Sequence, residues 1–264
     1  MNWNTHELLR RCLAAVHTTV RTPYELLVVD NGSDDGSPAM VREQFPDAIL
    51  IANDTNRGFA AAVNQALARA GGQMFLLLNS DTHVKPEAVD TLVQWLRAHP
   101  RVGICGGRLR NDRGQMQLSF GAFPTIRHEA VRKWVWNPLA RHPWGTRVLE
   151  WRYRRPAPVD WVLGACLMIR RDTVTRIGLL DEGFFFYFEE VDWCLRARRA
   201  GWEVWLVPHA EVIHLGGQSV ARDPQRLALE YRKSQRRFYQ KHYAGWQQWC
   251  LDRYLMSRGF STGE

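Results

Sequence analysis

Short apolar runs alternate with segments whose apolar residues recur three or four positions apart. "YELLVV" (24–29), "AILI" (48–51) and "QMFLLLN" (73–79) have the length and composition of strands. Within 5–20, Leu8, Leu9, Cys12, Leu13 and Val16 form a helical stripe that Thr5 is placed to cap. A short helix is expected around 38–44. An alanine-rich helix over 59–70 stops at Gly71-Gly72, and Pro86 opens another that runs to residue 98. The wholly apolar 73–79 run predicts a strand buried on both faces. This alternation predicts an α/β, Rossmann-like, doubly wound and mostly parallel sheet over the first 105 residues. Ligands of such sheets bind beyond the carboxyl ends of the strands, which is where Asp30 and Asp81 fall.

The pattern changes after Gly106. "RLRNDRGQMQLS" reads as a hairpin turning at Asn111–Gly114, and 123–158 is rich in Arg, Trp, His and Pro with no clear strand. A strand is expected over 160–171, a compact helix over 189–201, strands at 203–207 and 210–214, and a basic helix over 224–243. The natural divisions are 1–106, 107–222 and a basic, Trp/Tyr-rich helical tail at 223–264.

Composition narrows the class. The 264 residues carry a net charge of +8 and 12 tryptophans, which implies an anionic partner such as a membrane surface, nucleic acid or phosphorylated substrate. Five scattered cysteines with no CxxC pair point to reduced thiols rather than disulfides or a zinc site. No apolar run approaches the roughly 18 residues of a membrane span, and "MNWNTHELLRRC" is not a signal peptide. The expected location is cytoplasmic, with peripheral attachment to the inner face of the cell membrane.

Three clusters carry candidate chemistry. The loop Asp30–Ser37 ("DNGSDDGS") fails the EF-hand pattern, with Gly32 at position 3 and Asp35 at position 6, and it lacks the lysine of a phosphate cradle. It is either a tight turn or an acceptor site in which Asp30 takes hydrogen bonds from a nucleoside. Asn79-Ser80-Asp81 ends the next apolar strand; a carboxylate there is either a helix cap or a ligand for Mg²⁺ or Mn²⁺ held partly by substrate phosphates. Five aromatics, Phe184 to Phe188, run into Glu189, Glu190 and Asp192. The acids could simply complement a helix dipole, or an aromatic wall could desolvate one of them and tune it as a general base. His214, at a strand end before two glycines, is either a metal ligand or a satisfied core histidine.

Taken in order, "VVDNGSDDGS", "NRGFAAAVNQAL", "LLLNSD", "GACLMIRR", "FFFYFEEVDWCLRARRAG" and "VIHLGGQS" resemble the family 2 glycosyltransferases, in particular bacterial rhamnosyltransferases, over residues 1–243. The resemblance implies a glycosyltransferase A-type fold, a nucleotide-diphospho-sugar donor and an inverting mechanism. It implies that Asp30, with Asn31, holds the nucleoside, that Asp81 and His214 are metal ligands, and that Asn79 and Ser80 belong to the DxD-like motif. It places Arg57, Gly58 and Asn64 at the donor pocket and Asp192 beside the substrate. Glu190 or Glu189 is then the base, a choice left open because many relatives carry Asp at the second position. On this reading 1–106 binds the donor, with dTDP-rhamnose as the guess, and 107–222 binds a glycan or polyprenyl-diphosphate-linked acceptor in cell-envelope polysaccharide (lipopolysaccharide-type) synthesis. Relatives begin with an apolar strand before an "NWN"-like turn, whereas this chain starts at Met1-Asn2-Trp3-Asn4. An unfilled slot in the sheet is therefore expected, through a late start or a truncation, putting stability and activity in question.

Arg and Lys interleaved with Trp and Tyr in 126–156 and 231–255 suit an anionic bilayer, single-stranded nucleic acid, or a merely solvated basic face. Acidic strand ends would repel a phosphate backbone, so no nucleic-acid partner is expected. The competing readings are a non-catalytic nucleotide or nucleic-acid-binding module and an inactive, truncated relative.

Overall fold

The computed structural model describes residues 1–136, 138–139, 142–216, 224–257 and 260. The expected alternation opens the chain: α1 (His6–Thr19), β1 (Leu27–Asp30), α2 (Ser37–Gln44), β2 (Ile49–Ala52), α3 (Phe59–Arg69), β3 (Met74–Leu78), β4 (Thr82–Val84) and α4 (Ala88–Ala98). The second half contributes β5 (Val102–Arg110), β6 (Phe120–Gly121), α5 (Ile126–Val131) with a π-helical turn at Arg132–Trp136, and α6 (Pro143–Arg152). It continues through β7 (Ala157–Pro158), β8 (Trp161–Val162), β9 (Cys166–Arg170), α7 (Arg171–Ile177), α8 (Glu189–Arg199), β10 (Glu203–His214), α9 (Pro224–His242) and α10 (Gly245–Met256).

The main sheet has the order β3-β9-β5-β10-β4, with β7 on β10. Because β3 and β5 each run antiparallel to β9, they share a direction, and β10 runs parallel to β5. The long strands thus keep the wound, parallel arrangement, while β9 and the edge strand β4 oppose it. β1 and β2 form a separate parallel pair.

The strand expected over 160–171 is instead two. β8 pairs with β6 and β9 enters the main sheet, the chain crossing between them at Leu163–Ala165. The strands expected at 203–207 and 210–214 are one, β10, with a bulge between Val207 and Glu211. Pro208 falls in that bulge, where its missing N–H removes no ladder bond. Thr5 makes no capping bond to α1. Its hydroxyl donates to Asn2 Oδ1 at 2.6 Å, and the helix start is held by Asp35 Oδ2, which accepts from the His6 N–H at 2.8 Å.

β3 is not buried on both faces. Phe75 and Leu77 are buried, whereas Met74, Leu76 and Leu78 are half-buried. They face an apolar groove of about 750 Å³ between β1 and β3, also lined by Val28, Val29, Val63 and Val93. Among the described residues no strand lies in it. Only Met1 and Asn2 reach its end: the Asn2 N–H donates to Val29 O at 2.8 Å, Asn31 N–H to Asn2 O at 2.8 Å, and the Met1 amino group to Leu78 O at 3.3 Å.

α8 seats the second half. Trp193 and Cys194 are fully buried beneath the sheet, and Val191 and Leu195 pack on Phe184, Phe188, Phe238 and Tyr239, where α9 and α10 close the fold.

Candidate active site

Two strand ends and two helix starts converge on a polar cavity of about 210 Å³. Asn79, Ser80 and Asp81 enter from the end of β3, His214 from the end of β10, Gly58 and Phe59 from the start of α3, and Glu189 and Glu190 from the first turn of α8. Residues more than 100 positions apart meet because β3 and β10 both lie in the main sheet and α8 packs across it.

Asp81 and His214 form the charged floor, with His214 Nε2 3.5 Å from Asp81 Oδ1. The ring is oriented by Gln117. The Gln117 Nε2 amide donates to the His214 carbonyl at 2.8 Å, so its Oε1 is the atom 2.9 Å from His214 Nδ1. An amide oxygen only accepts, so Nδ1 carries a proton and Nε2 is the nitrogen that faces Asp81. This is the outer partner that metal-ligating histidines ordinarily have. A carboxylate oxygen and an imidazole nitrogen side by side supply donor types that fit a divalent ion such as Mg²⁺ or Mn²⁺. Among the described residues no group of three or more His, Cys, Asp or Glu gathers as a metal site, so any ion here needs further ligands from a substrate, as Mg²⁺ sites commonly do.

Glu189 and Glu190 follow Tyr187 and Phe188, two consecutive residues in the left-handed region (φ 69° and 70°). That backbone strain is of the order of 1–3 kcal/mol per residue and is held only by its surroundings. It turns both carboxylates inward, where they are 4% and 5% exposed. Burial raises both carboxyls above the ordinary glutamate value, most strongly Glu189, which Glu190 also repels. The helix N-terminus and the backbone N–H groups of Gly164 and Val191 favour the charged form of Glu190, but desolvation wins. Oε2 of each lacks a hydrogen-bond partner. Glu189 lines the polar cavity alone, whereas Glu190 also lines a second, aromatic cavity of about 530 Å³ with Tyr153, Trp161, Tyr187 and Tyr231 on its walls.

The aromatic run is accordingly not one wall. Phe184 and Phe188 belong to the core under α9 and α10, while Phe185, Phe186 and Tyr187 face the polar cavity. Gly58 has φ 85°, and a Cβ there would lie 2.8 Å from Phe185 O. The Phe59 N–H donates to that same carbonyl at 2.9 Å, so α3 grips the aromatic segment.

Other expected site residues serve the scaffold. Asp192 is fully buried, with His242 Nε2 at 2.7 Å, Lys241 Nζ at 2.8 Å and Arg196 Nε at 2.8 Å. Burial opposes its charge, but these partners hold its carboxyl far below the usual range. It ties α8 to α9 and does not reach the cavity, which corrects its expected place beside the substrate. Asn64 likewise donates to Leu180 O and Glu182 Oε1, both at 2.9 Å, and accepts from the Leu180 N–H at 3.0 Å. It does not line the polar cavity. Asn31 links the acidic loop to the next one through Asn56, Asn53, Gly58 and the Arg57 N–H. Asp30 is 1% exposed and accepts from Asn2 Nδ2 at 2.7 Å and Ser33 N–H at 2.8 Å, and the Arg57 side chain is exposed. Neither Asp30 nor Arg57 lines the polar cavity. Ser80 meets Thr5 at 2.7 Å. The sequence reading missed Gln117, Trp3 and Arg226, which lies over the Phe185 ring at 5.6 Å from its centroid at the cavity.

The fold matches that of glycosyltransferase A-type enzymes. A mannosyltransferase from Pyrobaculum calidifontis, solved with GDP-Man and Mn²⁺, superposes with a TM-score of 0.63 at 20% identity over 96% of this chain and 67% of its own. In sequence, the model of glycosyl transferase family 2 matches residues 2–148. An N-acetylglucosaminyl-diphospho-decaprenol L-rhamnosyltransferase of Mycobacterium tuberculosis is 30% identical over 90% of this chain and 81% of its own. The rhamnosyltransferase WbbL of Escherichia coli K12 is 38% identical over 21% of each chain. The chain belongs to glycosyl transferase family 2.

Proposed function

We propose that the protein is an inverting, metal-dependent hexosyltransferase that moves rhamnose from dTDP-rhamnose to a glycan or polyprenyl-diphosphate-linked acceptor in cell-envelope polysaccharide synthesis, at the cytoplasmic face of the cell membrane. The observation that carries the reading is the position of Glu190, a buried carboxylate shared by the polar and the aromatic cavity. The polar cavity takes the sugar diphosphate, with residues 1–106 and 107–222 contributing equally to its wall. The aromatic cavity, built mainly from 107–222, takes the acceptor, since broad ring faces and a few polar groups suit such ligands. The tail at 223–264 covers both through Arg226 and Tyr231.

Glu190 removes the proton from the acceptor hydroxyl as that oxygen bonds to the anomeric carbon. The bond from that carbon to the diphosphate oxygen breaks, its electron pair leaves with the diphosphate, and attack opposite the leaving group inverts the centre. Desolvation suits Glu190 to this task by bringing its proton affinity toward neutral pH. Glu189, buried beside it and raised more strongly, discourages both from being charged together, so the pair's proton rests on Glu189 and Glu190 is left to accept one. Asp81 and His214 would hold Mg²⁺ or Mn²⁺, and the bound ion would neutralise charge on the leaving diphosphate. Arg226 adds fixed positive charge on the same cavity. The names of the mycobacterial and Escherichia coli relatives support rhamnose, and the former's supports a lipid-diphosphate acceptor.

The test is release of nucleoside diphosphate from a panel of nucleotide sugars with Mn²⁺ or Mg²⁺. We expect slow release from one donor, lost in excess EDTA and in Asp81→Ala. Undiminished release in EDTA would remove Asp81 and His214 from the metal role, and no release from any donor would leave a binding module.

A further inference from the structure

Two helices of this protein are apolar on both sides. In α10 the inner side places Leu251 and Leu255 in the core, each 3% exposed. Trp246, Trp249 and Met256 stand on the opposite side at helical spacing and are exposed, the two tryptophans at 64% each. α6 repeats the arrangement, with Leu149 buried and Trp144, Val148 and Trp151 exposed on the other side. An ordinary surface helix carries polar residues there, so two such helices need a partner.

The charges say which. α10 packs on α5, and Lys133 bridges the two segments: its Nζ is 3.3 Å from Tyr254 Oη, and it lies over the Trp134 and Tyr254 rings at 5.5 and 5.4 Å from their centroids. Arg147 and Arg152 on α6 and Arg253 on α10 are also exposed. Of the acids in these helices, Glu129 lines the aromatic cavity, Glu150 pairs with Arg110 at 2.7 Å and Asp252 with Arg236 at 3.0 Å. The exposed side is thus tryptophan and cation together. Two copies of such a face would repel, whereas indole rings at headgroup depth among cations are the signature of an anionic bilayer surface. The same segment leads inward, because Val131 and Trp136 also line the aromatic cavity that ends on Glu190.

We infer that the α5–α6 segment and α10 form a docking face for an anionic lipid bilayer, with the aromatic cavity opening beside it. The face stands independently of the proposed chemistry; only its delivery of a lipid-borne acceptor to Glu190 rests on that reading.

Cosedimentation at low salt with phosphatidylcholine vesicles, with and without phosphatidylglycerol, tests it on the full chain. The protein is expected to pellet with the anionic vesicles only, and Trp246→Ser/Trp249→Ser to weaken that partition by roughly tenfold or more. Both changes are at exposed positions, and an unchanged thermal transition shows that the fold is kept. Nucleoside diphosphate release in vesicle-free buffer should be the same in variant and parent. No pelleting, or pelleting unaffected by the double substitution, overturns the inference. So does a concentration-dependent dimer, seen by analytical ultracentrifugation, that the substitutions abolish while vesicles are not bound. Vesicle binding without diphosphate release from either protein supports the docking face and sinks the enzymatic reading instead.

Discussion

Asp192 and Glu190 sit two positions apart on one helix and have opposite fates. Asp192 is surrounded by Lys241, Arg196 and His242 and is held ionised, while burial raises the carboxyl of Glu190 above the ordinary glutamate value. Separating neighbouring carboxyls this way is how one scaffold divides structural from acid–base work. Asp192→Asn should therefore lower stability by about 1.5–3 kcal/mol at neutral pH, since it removes the charged hydrogen-bond acceptor that Arg196 and Lys241 share. The sign with pH follows from the depressed folded-state value. The wild-type contribution is complete above the ordinary aspartate range near 3.9 and is lost only as pH falls through the lower folded value. Urea melts at pH 7 and in strong acid check this; equal melts at pH 7 would contradict it. The sequence places Asp81, Glu189, Glu190 and His214 by pattern. It cannot place Gln117, which lies 97 positions from His214 and meets it only because the turn after β5 folds back beside β10. Asp192 was legible as an acid at a helix start with Arg196 one turn on, but its other partners, Lys241 and His242, lie some 50 positions away on α9.

Among the elements, the strand–helix alternation of the first half was readable because each segment declares its own period. The second half was less so. Residues 161–169 carry no polar side chain, so nothing local marks the change of sheet at Gly164, where the Phe59 ring and Glu190 crowd in. The loop before α8 also depends on distant contacts, with Gly58 making room for Phe185. Gly58→Ala faces both a left-handed φ and a 2.8 Å contact with the Phe185 carbonyl. It should cost about 1–3 kcal/mol and displace the segment that aims Glu190. The expected result is a lowered melting temperature together with a raised KM for the donor. A variant with wild-type melting and kinetics would show that α3 does not position this loop.

At the scale of the molecule, the apolar groove separates β1 and β2 from the main sheet, where β5, β9 and β10 are paired on both sides. Regions with few cross-strand bonds open at lower free energy. Amides of β1 and β2 should therefore exchange with deuterium well before those of β5 and β9, and uniform protection would contradict this. The groove meets the polar cavity at Met1, Phe59, Asn79 and Ser80, so opening there would loosen the donor side first. The central claim is narrower: one carboxylate, facing both cavities, moves the proton. The direct measurement compares sugar transfer by Glu190→Gln and Glu189→Gln, with donor binding followed by calorimetry. Glu190→Gln should abolish transfer while binding the donor as the parent does, and Glu189→Gln should retain measurable turnover. Near-normal transfer by Glu190→Gln would contradict the claim and move the base elsewhere.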